Sequence, residues 1–173
     1  MPTFDRQLGV LLHPSSLPGS EPIGTLGAGA RGALRWMSRA GVSVWQVLPL
    51  CEGGLGYSPY SSPTSALGSP WLIDLDDLVV AGLLDEGFVS PAQPGDAVDF
   101  GAVMAWKRPL LEAAARGLLD HPARPLHEVF TRWRSQRPWV EDAALFRAIR
   151  LSRGAGDWWC WPCRTPDFSG FLP

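Results

Sequence analysis

A chain of 173 residues with 17 acidic and 15 basic side chains, a formal charge of −2 and no basic run lacks the Lys/Arg patch that nucleic-acid affinity needs. That length holds one ordinary domain with a real core, not two, and 46% hydrophobic with 18% charged residues excludes disorder of the whole chain. The N-terminus MPTFDRQLGVLLHP has neither the apolar core nor the cleavage site of a secretory signal, and no membrane segment is expected. Three cysteines, Cys51, Cys160 and Cys163, cannot all pair within one chain, which agrees with a reducing, cytoplasmic location.

In chain order, Gly9 to Leu12 (GVLL) reads as a short strand ended by His13-Pro14, followed by a Ser/Pro/Gly loop. Ala30, Ala33, Leu34, Met37 and Ala40 recur at helical spacing, with Arg31, Arg35 and Arg39 on the other side and Gly41 as the stop. Val42, Val44, Trp45, Val47 and Leu48 then read as a buried parallel strand closed by Pro49. This strand, helix, strand order opens a (β/α) pattern. After Pro70, WLIDLDDL predicts a brief strand running into a turn of helix, where Asp74, Asp76 or Asp77 caps free N–H groups. Residues 79–100 read as a connection. Helical texture resumes from Val103 and Trp106 to Leu118, with Pro109 kinking that helix or starting its second part. A second helix carries Leu126, Val129, Phe130 and Trp133. A third runs from Pro138, with Glu141 and Asp142 early, Arg147, Arg150 and Arg153 late and Gly154 as its stop. The tail from Gly156 has no clean period, and its end is expected to be poorly packed.

The loop after the second strand is where function is expected. From Gly53 to Ile73 there is no charged side chain, and Gly, Pro and Ser are too frequent for a helix or a membrane span. Loops at the C-terminal ends of parallel strands bind ligands. Tyr57, Tyr60 and Trp71 supply flat faces; Ser58, Ser61, Ser62, Thr64 and Ser65 supply neutral hydrogen bonds. That mixture suits a sugar better than a phosphate, because stacking and hydroxyl pairing are needed and charge is not. Tyr57 and Tyr60 also have a structural reading as loop anchors packed on the barrel top, balanced against the functional one for Tyr60.

Other constellations are weaker. Cys160 and Cys163 have the C-x-x-C spacing of a dithiol redox pair, but only ten residues follow Cys163, too few for the strands of a thioredoxin fold. His13, His121 and His127 have no ligand spacing to these sulfurs, so no metal or cofactor is expected. His13 either touches a substrate at the mouth of the first strand or bonds a neighbouring loop. Asp5, Glu21, Glu52, Asp74, Asp76 and Asp77 lie near the strands, yet spacing selects no opposed pair of the kind a glycosidase needs; solvated surface or caps is the reading for all six.

The motifs themselves resemble a known family. GVLLHPSSLPG with IGTLG, then WQVLPL, SPY and SALGSPWLIDL, are similar to successive motifs of the amylomaltases, the 4-α-glucanotransferases of glycoside hydrolase family 77. VDFGAVMAWKRPLLEAA, EDAALFRAIR and the W-x-x-W-P of Trp158 to Pro162 continue the likeness, which covers about Leu8 to Pro162 and is expected to stop there. The resemblance implies a (β/α)8 barrel with helical insertions. It also implies a retaining double displacement in which an Asp nucleophile and a Glu acid/base move a 1,4-α-glucan segment to a new 4-hydroxyl. By the same likeness Ser58 and Tyr60 are substrate-binding residues. Leu55 stands where the family commonly has an aromatic associated with a second glucan position, Tyr57 where it has an acid, and Ser69 where it has Asn. The family's catalytic carboxylates lie beyond the equivalent of Pro162, so no catalytic residue is assigned.

The expectation is therefore an α/β chain forming the first two strands of an incomplete barrel. Residues 1–80 would be the βαβ segment with its substrate loop, 81–157 a mainly helical insertion and 158–173 a divergent tail. Its partners would be maltooligosaccharides or other 1,4-α-glucans, with no nucleic acid and no membrane, and as a truncated form it would be inactive alone. Two alternatives stand beside this: a stand-alone glucan-binding module using Tyr57, Tyr60 and Trp71, and a dithiol redox protein centred on Cys160 and Cys163.

Overall fold

Two short parallel strands, β1 (Gly9–Leu11) and β2 (Val44–Gln46), are joined by helix α1 (Ala28–Arg39) in a computed structural model that describes residues 6–91, 97–122, 124–154 and 161. Gly9 pairs with Val44, Val10 with Trp45 and Leu11 with Gln46. The Trp45 indole donates to the Leu12 carbonyl at 2.7 Å, fixing the ends of the pair. α1 buries Ala30 and Met37, two turns apart on one face, and stops at Gly41, whose φ of 73° is the left-handed turn glycine permits. Parallel pairing with a crossover helix agrees with the α/β expectation.

The burial expected of β2 is not found. Val44 and Gln46 are exposed, as are Leu8 and Leu11, and among the described residues no third strand covers either edge. A parallel sheet is dry only when helices cover both faces and strands both edges. One crossover helix does neither completely.

The core lies beside the sheet instead. Ile23, Trp71 and Val103 form its centre, with Val98, Phe100, Met104 and Leu111 packed against them. The expected strand at Trp71 is a single 3-10 turn, Pro70–Leu72, because Pro70 presets φ for a turn and its N–H is missing from any ladder. Helix α2 (Leu75–Val80) follows, with Asp74 as its cap: the carboxylate accepts from the Asp77 N–H at 3.1 Å and from the Thr25 hydroxyl. A Cβ at Gly27 would collide with that carboxylate, so glycine there is a condition of the close approach.

α3 (Phe100–Leu119) begins three residues before the first periodic position. Asp99 caps it, accepting from the Ala102 N–H at 3.0 Å. The helix runs through Pro109, which leaves the Ala105 carbonyl without its usual i+4 donor. Lys107 faces the core with no exposed surface, and its ammonium donates to the Glu21 carboxylate and to the Trp71 carbonyl at 3.0 Å. Glu21 also accepts from the Leu75 N–H at 2.8 Å. Glu21 is thus a buried ion-pair partner that also satisfies the first N–H of α2, a correction to the solvated-surface half of its reading: the loop before α1 packs against α3, and the carboxylate and the Trp71 carbonyl together satisfy Lys107.

The chain divides into two compact units, Met1–Arg132 and Trp133–Pro173, and both sides of residues 80/81 lie in the first. The division falls inside α4 (Pro125–Ser135). In the second unit α5 (Trp139–Ser152) has Glu141 and Asp142 in its first turn, Arg150 in its last and Gly154 at φ 73° beyond it. Arg134 pairs with Glu141, and the Arg137 guanidinium lies 5.0 Å from the Trp133 ring. Asp5, Cys160 and Cys163 lie outside the described residues.

Candidate functional site

β2 feeds directly into the loop that the sequence singles out. Its base is closed by an antiparallel bridge between Cys51 and Gly68, with the Ser69 N–H donating to the Leu50 carbonyl at 2.7 Å. Inside, the Gly54 N–H donates to the Ser58 carbonyl and the Tyr57 N–H to the Gly54 carbonyl, each at 3.0 Å. Side chains at Gly53 and Gly54 would strike the backbone of Tyr57 and Ser61. A compact loop packed by its own backbone results, on the C-terminal end of a strand.

Most of its hydroxyls are engaged within it. Ser61 donates to the Leu55 and Ser58 carbonyls, both at 3.1 Å, and Ser62 to the Thr64 carbonyl at 2.7 Å. Ser58 caps the turn Pro59–Ser61 by accepting from the Tyr60 N–H at 3.3 Å, which leaves its own O–H available to donate. Tyr60 is 74% exposed. Tyr57 is half-exposed and stacks on Phe100 with ring centroids 5.3 Å apart. Trp71 presents no face to solvent: it is a core residue, with the Arg108 guanidinium 5.6 Å from its ring. Of the three aromatics expected together, Tyr60 stands open, Tyr57 keeps about half its surface exposed while stacked on Phe100, and Trp71 is buried.

Beneath the loop lies a cavity of about 210 Å³ lined by His13, Leu48, Cys51, Tyr57, Trp71 and Phe100. The Cys51 thiol donates to the Pro59 carbonyl at 3.3 Å. His13 Nδ1 pairs with the Ser15 hydroxyl at 2.7 Å, while its buried Nε2 has no hydrogen-bond partner among the described residues. Burial pushes the imidazole below its ordinary pKa, and the Pro49 carbonyl opposes this weakly. His13 thus bonds the loop that follows β1 through Nδ1, while the ring also lines the cavity.

The acids near the strands hold structure. Glu21 is in the buried pair, where desolvation raises its pKa and lowers that of Lys107. Asp74 caps α2, Asp76 accepts from the Ser20 hydroxyl at 2.7 Å, and Asp77 takes a bidentate pair from Arg31 at 2.8 Å. Glu52 is half-buried in the loop. Among the described residues no group of three or more His, Cys, Asp or Glu is placed to hold a metal, and no helix is long and apolar enough to cross a membrane.

Two participants escaped the sequence reading. Phe100 sits just after a capping Asp, at the end of what read as a connection. Lys107 could have been noticed as a lone charge in the apolar series Val103, Met104, Lys107, Leu111 at helical spacing.

Comparison with known proteins supplies the context. A solved structure titled amylomaltase from Streptococcus agalactiae in complex with acarbose superposes with a TM-score of 0.82 and 32% identity, over 91% of this chain and 32% of that one. The 4-alpha-glucanotransferase of Thermus thermophilus is 43% identical over 91% of this chain. The chloroplastic/amyloplastic 4-alpha-glucanotransferase of Solanum tuberosum is 39% identical over 93% of it. This chain spans only 31% and 29% of those two relatives. A family model described as 4-alpha-glucanotransferase matches residues 12–169, so the likeness continues past Pro162, where motif reading had it stop. With most of its length matched by that model, the chain belongs to the 4-alpha-glucanotransferase family, glycoside hydrolase family 77.

Proposed function

We propose that this chain is the opening sector of a (β/α)8-barrel 4-alpha-glucanotransferase and presents its 51–68 loop to maltooligosaccharides or other 1,4-α-glucans. The observation that carries the reading is a family match over residues 12–169 on a parallel β1–α1–β2 unit whose two edges no other strand among the described residues covers. Residues 81–157 would be a helical insertion in that barrel. Loops at the C-terminal ends of barrel strands meet substrate, and the 51–68 loop follows such an end. Ser58 and Tyr60 are the glucan contacts: the exposed Tyr60 ring offers a stacking face, and the Ser58 O–H is free to donate to a sugar oxygen.

In the whole enzyme the reaction is a retaining double displacement. A carboxylate attacks the anomeric carbon while a carboxylic acid protonates the leaving oxygen; the resulting carboxylate then takes the proton of an incoming 4-hydroxyl as it displaces the enzyme. Within this chain Glu21, Asp74, Asp76 and Asp77 are engaged in ion pairs, caps and hydrogen bonds, which supports binding without cleavage by these residues.

The test is to give the purified chain maltoheptaose and measure heat of binding and glucose release together. Saturable binding without glucose is expected, with Tyr60→Ala weakening it about tenfold, near 1.4 kcal/mol. Glucose release with no other polypeptide present sinks the division of labour, and absence of binding sinks the loop assignment.

A further inference from the structure

Tyr57 combines two features that its neighbours in the loop do not share. Its φ of 59° places an aromatic residue in the left-handed region, directly after Gly56 at 64°. There a Cβ crowds the following carbonyl, at a cost comparable to what one aromatic stack returns. The conformation persists because the ring is held: it stacks on Phe100 at 5.3 Å with the planes 19° apart. Phe100 opens α3, which Asp99 caps, and it packs on the Ile23–Trp71–Val103 cluster. The Tyr57 hydroxyl lies over the same turn, since a Cβ added at Gly101 would stand 3.3 Å from it.

We propose that Tyr57 is a positioning residue, whose ring latches the 51–68 loop to the first turn of α3 and so sets the pose in which Ser58 and Tyr60 meet a glucan. Ser58 follows Tyr57 directly, and its carbonyl receives the Gly54 and Ser61 N–H groups at 3.0 and 3.2 Å. Releasing the ring frees Tyr57 to leave the left-handed region, and both bonds go with it. The latch stands on geometry alone; its consequence for sugar binding rests on the function proposed above.

Amide hydrogen exchange on the full chain without ligand reads the latch, and maltoheptaose titration reads its consequence. In Tyr57→Ala, exchange at Gly54, Tyr57 and Ser61 is expected to quicken about tenfold or more, while Leu75 and Val103 keep their rates. Tyr57→Phe restores slow exchange and wild-type affinity. Phe100→Leu keeps apolar bulk without the stack and is expected to behave like Tyr57→Ala; Tyr57→Gly, which relieves the backbone, also exchanges fast. Slow exchange in Tyr57→Ala or Tyr57→Gly overturns the latch. Fast exchange with undiminished maltoheptaose affinity in Tyr57→Ala overturns the positioning role, and failure of the wild-type chain to bind maltoheptaose overturns the glucan reading while the exchange result judges the latch separately.

Discussion

Within the first unit, the β1–β2 sheet and the surroundings of Lys107 are opposites. Leu11 and Val44, apolar residues in strands, are 59% and 40% exposed, whereas Lys107, a cation in a helix, has no exposed surface. Burial here follows the number of neighbours that close on a residue rather than its hydrophobicity. The strands have one crossover helix between them. Lys107 has the loop through Glu21, the turn at Trp71 and its own helix, and two oxygens that satisfy its ammonium.

The hardest way to break this contrast is to remove one charge. Lys107→Met leaves a buried carboxylate unpaired and is expected to cost about 3–5 kcal/mol in urea unfolding. Adding Glu21→Gln should return much of that. A single-variant loss under about 1 kcal/mol means that water reaches the pair. Next in size is Asp74→Ala, which deletes the α2 cap and the acceptor for Thr25; a loss of about 1–2 kcal/mol is expected from the same measurement.

A pH series sharpens the comparison from His13. Burial lowers its folded pKa below the ordinary 6.5, so the unfolded chain takes the proton first as pH falls. Stability attributable to His13 is whole above that value and declines as pH drops toward the lower folded pKa. His13→Gln should flatten the urea midpoint against pH in this window, and an unaltered slope would show the ring reaching solvent. Least of all, Leu11→Lys and Val44→Lys on the open strands should shift stability by no more than about 0.5 kcal/mol. Light scattering should show less association, because charge on a strand edge opposes pairing between chains. A loss above about 2 kcal/mol would mean that the sheet is covered.

How far the sequence carries depends on how local the deciding physics is. Helices α1, α4 and α5 are legible because periodicity and stop signals sit within a few residues: Ala30 with Met37, Gly41, Gly154. β1 and β2 are legible as strands, but their exposure is not, since apolar composition reports what a strand can bury and not what covers it. The turn at Pro70 was misread as strand because Trp71, Leu72 and Ile73 suit either state, and Pro70 decides between them. In the site, the loop, uncharged from Gly53 onward, could be read directly. Which of its aromatics is open could not: Trp71 is taken into the core by Ile23 and Val103, and Tyr57 is held by Phe100, partners 32 to 48 positions away in the sequence.

The Glu21–Lys107 contact joins positions 86 apart, whereas the strands pair at a separation of 35. On the ribosome, β1 and β2 can therefore meet long before the cation that neutralises Glu21 has been synthesised. Until Lys107 emerges, the segment ahead of α1 holds an acid that must stay hydrated, and the nascent strands wait with their edges open.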